Sequence, residues 1–320
     1  MKLSATYQTR RSAFTLIEML VVMTILALLV ALTAAGIFKT LNKVADVRNT
    51  RELRDLRTGI VNFQSKYKVG WIPSRIRLRN DLVYDTSLNA SGQPNNQLDF
   101  DSASYLVQVW HNLTAPVVWN PNTTNTDVIL EGDQCLVFFL GGVQGTVNGV
   151  NACVGFSTNT KNPTALGGDR VEPFFDFQSS RLTTKFHPTT GYFSYLDAYG
   201  KAPFAYFSSY KKANGYNRYY PFAAPTAGVS DCTTLQVWPY FDGIKYQNPD
   251  TFQIISAGRD GVFGRGFVVT GWGPLAGTGT WTPASADSSQ ALQNQSGTNA
   301  KAGLDDMADF YDRMLGVPSN

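Results

Sequence analysis

From Met19 to Phe38 the chain carries no charged side chain. As a helix rising 1.5 Å per residue, such a run crosses a hydrocarbon core of about 30 Å. Backbone groups in lipid must pair within their own segment, so a helix is the form this stretch can take there. Ahead of it lies a short polar segment ending in Arg10-Arg11-Ser12-Ala13, and then Phe14-Thr15-Leu16-Ile17-Glu18. A cleaved secretory signal is one alternative, since Ala34-Ala35-Gly36 imitates a small-x-small cut site. Glu18 speaks against it. A carboxylate in an apolar span costs about 2.5–3.5 kcal/mol at mid-membrane and calls for a partner, unless it snorkels to water.

The string Arg-Arg-Ser-Ala/Phe-Thr-Leu-Ile-Glu resembles the processing site of the type IV pilin and type II secretion pseudopilin superfamily. The resemblance implies a leader over residues 1–13, cleavage by a prepilin peptidase between Ala13 and Phe14, and N-methylation of Phe14. It makes Glu18 the fifth mature residue. Two positions depart from the family: Ala13 stands where Gly is usual, and Ala35 where many relatives carry Pro. Cleavage would leave a cationic amine on Phe14. A buried amine and a buried carboxylate cost less together than apart. Glu18 of one subunit meeting the Phe14 amine of its neighbour would therefore set axial register in a filament, as one polar core residue does in a coiled coil.

Residues 14–38 read as the transmembrane and polymerisation helix, and 39–70 as its extramembrane continuation. Leu53, Leu56, Ile60, Phe63 and Tyr67 follow 3-4-3-4 spacing on one face. Arg48/Glu52 and Arg51/Asp55 are i,i+4 pairs, and Gly70 with Pro73 is expected to end the helix. Two helices parted near Gly36 are the alternative. Lys39, Lys43, Arg48, Arg51, Arg54 and Arg57 outnumber the basic residues of the leader, so the positive-inside rule taken alone favours the opposite orientation. The leader motif outweighs it, because the peptidase acts on the cytoplasmic face.

Residues 71–320 have another texture, rich in Asn, Thr, Ser, Gly and Tyr. Cys135–Leu140 reads as a buried strand ended by Gly141-Gly142, with further strands at Phe204–Phe207 and Phe252–Ile255. Asn148-Gly149, Asn214-Gly215 and Asp242-Gly243 signal turns, and residues 85–99 and 274–300 read as loops. The expected fold is α+β: a long N-terminal helix packed on an antiparallel β-sheet head with large loop insertions.

Three segments of this head resemble the major pseudopilin in particular: Tyr67–Ser74, Leu196–Tyr206, and Ile254–Gly261 with its Ser-Ala-Gly-Arg-Asp-Gly ending. Leu304–Phe310 resembles the family's closing Asp-Asp segment. The likeness implies a calcium site at Asp260, Asp305 and Asp306, since calcium takes six to eight oxygen ligands. Roughly forty residues separate Gly264 from Asp305 where relatives have a few, so the insertion must loop out for the carboxylates to meet. Otherwise Asp260-Gly261 is a β-turn, and Asp305-Asp306 caps a last helix from Asp306 to Met314. The resemblance further implies a single-pass bacterial inner-membrane protein with a periplasmic head. Its partners would be copies of itself and other pseudopilins, an inner-membrane assembly platform and a secretin channel.

The residues outside these motifs narrow the function less. The net charge of +3 is matched by Lys2, Arg10 and Arg11 alone, which gives no ground for a nucleic-acid partner. Cys135 and Cys153 can close a short disulfide loop in an oxidising compartment; otherwise they and Cys232 are inert thiols. Hydrolase, metalloprotease and nucleotide-binding motifs are absent from the sequence, and His111 and His187 read as structural. The expected role is structural rather than enzymatic: a subunit of a secretion pseudopilus. The alternative is a minor tip pilin whose enlarged head recognises a surface, glycan or DNA through aromatics such as Trp272, Trp281, Tyr219 and Tyr220.

Overall fold

A computed structural model describes residues 15–121, 123–219, 230–240, 246–264, 268–270, 280–282 and 305–310. The chain divides into two units, Met1–Val47 and Arg48–Asn320. In the first, helix α1 (Leu16–Tyr67) begins. Its apolar window Leu16–Thr33 is long and apolar enough to cross a membrane, and its side chains are exposed throughout. The helix includes Gly36, so two parted helices are not what forms.

In the second unit, the expected stripe of α1 is buried. Leu53, Leu56, Ile60 and Phe63 are at most 3% exposed. Phe63 meets Phe139 and Phe174 edge-on, at ring-centroid distances of 5.5 and 5.3 Å. Both predicted ion pairs form, Arg48–Glu52 at 3.0 Å with its carboxylate buried and Arg51–Asp55 at 3.6 Å on the exposed face. The helix stops before Gly70: Lys68 takes a left-handed φ of 55°, and the Val69 amide donates to the Gln64 carbonyl at 3.1 Å. That six-to-one bond is a Schellman-type ending, with buried Val69 as its apolar contact.

The remaining elements are β1 (Ile76–Arg79), α2 (Gln97–Val109), β2 (Asp127–Leu130), α3 (Gly132–Gly141), β3 (Gln144–Val147), β4 (Val150–Cys153), β5 (Leu182–Thr183), β6 (Ser194–Tyr195), β7 (Ala205–Ser208), β8 (Phe252–Ser256), β9 (Val268–Thr270), β10 (Thr280–Thr282) and β11 (Met307–Ala308). The class is mixed α+β. Among the described residues its strands form one antiparallel sheet of order β11-β8-β7 and four two-stranded ribbons, β1-β2, β3-β4, β5-β6 and β9-β10. In the larger sheet Tyr206 faces Ile254, and Met307 faces Ser256.

The segment expected as a strand at Cys135–Leu140 is helical. All ten residues of α3 are buried, so no polar face marks its period. A helix closes its own backbone hydrogen bonds, which suits an element enclosed on every side. Gly132 lets it approach β7: a Cβ there would lie 1.9 Å from the Tyr206 carbonyl oxygen. The loop expected at 85–99 gives way to α2 at Gln97, where the Asn96 side chain caps the Asp99 amide at 3.1 Å. Asn148-Gly149 forms the β3-β4 turn, with both residues at positive φ. Asp242-Gly243 and nearly all of 274–300 lie outside the described residues.

Candidate functional site

The sequence-predicted assembly and metal residues lie in two places, one in each unit. Ala13 and Phe14 lie outside the described residues, which begin at Thr15. Glu18 sits in the first turn of α1. Its Oε2 accepts the Thr15 amide at 2.8 Å and the Thr15 hydroxyl at 2.9 Å, while the Glu18 amide donates to Thr15 Oγ1 at 3.3 Å. This is a reciprocal capping box, in which two otherwise unpaired helix-start donors are satisfied by one another's side chains. The Thr-x-x-Glu spacing that signals it is plain in the sequence, and Thr15 is the participant that sequence reasoning missed.

In the head, Asp260, Asp305 and Asp306 gather at one turn in spite of the long insertion. Asp305 Oδ2 accepts the amides of Arg259 (2.5 Å) and Asp260 (2.9 Å). Asp306 Oδ2 accepts the Gly264 amide and the Tyr240 hydroxyl, each at 2.9 Å. Asp260 Oδ1 accepts the Val262 amide at 2.8 Å. Gly258 is required here: its φ is +69°, and a Cβ would lie 2.1 Å from the Asp305 carbonyl oxygen. Asp306 does not open a helix. It precedes β11, which pairs with β8, so the alternative of a last helix starting there does not form; residues 311–320 lie outside the described residues.

The electrostatics of this turn are those of crowded acids. Burial, and then the charges of Asp305 and Asp260, push the Asp306 carboxyl well above the usual carboxylate range. Burial also raises Asp260. Asp306 Oδ1 is buried with no hydrogen-bond partner, which is the state of an oxygen awaiting a cation or a proton. Lys201 Nζ supplies one nearby positive charge, donating to the Arg259 carbonyl at 2.5 Å.

A third grouping was not foreseen. Glu131, Asp133 and His187 have ligand atoms all within 4.8 Å of one another, a spacing the three aspartates do not reach among the described residues. His187 is 6% exposed, with Nε2 at 3.0 and 3.2 Å from the two Asp133 oxygens. Burial lowers the proton affinity of the imidazole, but the Asp133 hydrogen bond and charge, with Glu131, carry the net shift upward. No local motif could reveal residues 54 positions apart in the chain.

Of the two alternatives for Cys135 and Cys153, the structure has free thiols rather than a disulfide, and Cys232 is free as well. Cys135 lies in the first turns of α3, where its thiol reaches toward the Leu130 carbonyl at 3.8 Å. Cys153 packs on Gly141 at the other end of the helix. Six residues, about 9 Å of helix rise, part Cys135 from Gly141 along α3.

The described geometry is an exposed apolar window, Leu16–Thr33, long enough to cross a membrane, with Glu18 as its one carboxylate, and a folded head. Residues 8–34 match the prokaryotic N-terminal methylation motif. That match supports a type IV pilin-like subunit, with a leader processed by prepilin peptidase, a single-pass inner-membrane anchor and assembly into pilin-like polymers. Such a subunit is structural in character. No curated protein and no solved structure is significantly similar to the chain.

Proposed function

We propose that the chain is a pseudopilin, whose α1 helices pack into a periplasm-spanning filament for type II protein secretion. The observation that carries this is the methylation motif at residues 8–34 continuing directly into an exposed apolar helix with Glu18 in its first turn. Within the filament the Glu18 carboxylate leaves Thr15 and pairs with the Phe14 amine of a neighbouring subunit. The inner-membrane platform, the other pseudopilins and the secretin channel are the partners this role requires. Asp260, Asp305 and Asp306 hold calcium on this reading. The ion would satisfy Asp306 Oδ1 and fasten the 305–310 segment to the 258–264 turn.

Mass spectrometry of the mature chain tests the proposal. The expected N-terminus is N-methylated Phe14, and Glu18→Ala is expected to abolish filaments without preventing cleavage. A mature chain starting beyond Gly36, or normal filaments from Glu18→Ala, would overturn it.

A second reading, a minor tip subunit that recognises a ligand, is favoured by one cavity in the head. It measures about 210 Å³ and is lined by Trp71, Phe100, Tyr105, Tyr219, Arg75 and Arg218 among others. Aromatic walls with guanidinium groups suit a sugar or a planar acid. Copy number separates the two roles: many copies per filament for a shaft, few for a tip.

A further inference from the structure

We propose that Glu131, Asp133 and His187 form a site for a divalent transition metal of the zinc class, linking the start of α3 to the turn that follows β5. The donor set is one imidazole and two carboxylates. Borderline cations such as zinc accept that mixture, whereas calcium takes oxygen alone.

The distances suit a metal between the groups. In a tetrahedral shell with bonds of about 2.0–2.1 Å, neighbouring ligand atoms lie about 3.3 Å apart. His187 Nε2 stands 3.0 and 3.2 Å from the two Asp133 oxygens. A cation taking the place of the shared proton would meet both groups after a shift of a few tenths of an ångström. Glu131 stands within 4.8 Å and is the half-buried member, so its longer side chain closes the shell and its open side admits the ion and a water as fourth ligand.

Both carboxylates are already oriented by donors outside the shell, as metal-binding carboxylates commonly are. Ser194 Oγ donates to Asp133 Oδ2 at 2.6 Å. The Thr234 amide and hydroxyl donate to Glu131 at 2.8 and 3.2 Å. The charges also balance: two carboxylates and a neutral imidazole around a dication leave no net charge, in a place where Asp133 is 1% and His187 6% exposed. Burial of an uncompensated charge is what such a site avoids.

This site is independent of the pilin role and of the aspartates near Gly258, so its test can fail alone. The full-length chain in detergent is stripped with a chelator and dialysed to equilibrium against Zn²⁺. About one zinc per chain is expected to be retained, and Asp306→Asn is expected to leave that value unchanged. Glu131→Gln and His187→Gln, each checked for folding by circular dichroism, are expected to weaken zinc binding at least about tenfold. No zinc retained by the unmutated chain, or wild-type binding in both variants, overturns the proposal. Should either variant fail to fold, Co²⁺ added to the unmutated chain decides the matter. Visible bands of a four-coordinate N/O site support it, and a spectrum like that of aqueous cobalt refutes it.

Discussion

Replacing Arg181 with Leu is expected to destabilise the head sharply, and replacing its partner as well is expected to restore much of the loss. Arg181 and Glu52 are each 8% exposed and joined by two bonds of 2.6 Å, a fork-to-fork pair between α1 and the segment just before β5. Arg181 also donates to the Leu196 carbonyl and lies 4.4 Å over the Tyr195 ring. Removing one member of a buried pair costs about 3–5 kcal/mol, because the charge left behind has lost its solvent and its partner. Glu52 would keep Arg48 at 3.0 Å, but that side chain is 43% exposed and compensates weakly, so a loss near 3 kcal/mol is expected for Arg181→Leu. For a unit of this size, that lowers the melting temperature by about 6–12 °C. The double variant Glu52→Leu/Arg181→Leu removes both charges together, and its loss should be smaller than that of Arg181→Leu alone. Urea denaturation of the detergent-solubilised protein, followed by tryptophan fluorescence, gives all the values of the cycle. Additive losses, or an Arg181→Leu loss under about 1 kcal/mol, would refute the claim that this pair is a desolvated unit.

Other outcomes follow from the same structure. Burial raises Asp197 and Asp231 to about 6 and Asp309 to about 7. The folded state therefore keeps protons that the unfolded chain releases near pH 4, and the stability these groups contribute is largest below that pH and lost as pH rises toward 7. With chelator present, the urea midpoint should be higher at pH 5 than at pH 8, and Asp309→Asn should flatten the difference; a midpoint that does not fall would count against those burials. Gly132→Ala places a Cβ 1.9 Å from the Tyr206 oxygen and should cost about 1–3 kcal/mol or more. Gly167→Ala, where a Cβ meets nothing within 4 Å, should be near neutral by the same denaturation assay. Alkylation of the unfolded chain without reductant should label all three cysteines. In the folded protein burial holds the Cys135 and Cys232 thiols far from ionisation and lifts Cys153 to about 12, so labelling should be slow there. A peptide pair joined through Cys135 and Cys153 would contradict the placement on α3.

How far the sequence discloses this molecule differs from element to element. The α1 helix was legible because its two tasks leave separate marks: an unbroken apolar run, and then a 3-4-3-4 stripe from Leu53 to Tyr67. It ends at Tyr67, three residues short of the expected bound at 70, because Lys68 adopts a left-handed conformation that glycine more often takes. β7 and β8 lie where aromatic and β-branched runs put them. The α3 helix was misread because Cys-Leu-Val-Phe-Phe-Leu is apolar throughout; with every face buried, period 2 and period 3.6 cannot be told apart. The meeting of Asp260 with Asp305 and Asp306 came from resemblance, since nothing local to either segment specifies a contact across the insertion. Glu131, Asp133 and His187 were invisible for the same reason, being brought together by how α3 seats against the turn after β5.

The capping box at Thr15 bears on how a subunit waits in the bilayer. Its acid is already engaged by its own helix start, where one carboxylate oxygen of Glu18 accepts both the Thr15 amide and the Thr15 hydroxyl. On the proposed role, a neighbour's ammonium then offers an exchange of partners rather than a rescue. Joining a fibre would then trade one set of hydrogen bonds for another, and its net gain would be smaller than for a carboxylate with no partner of its own.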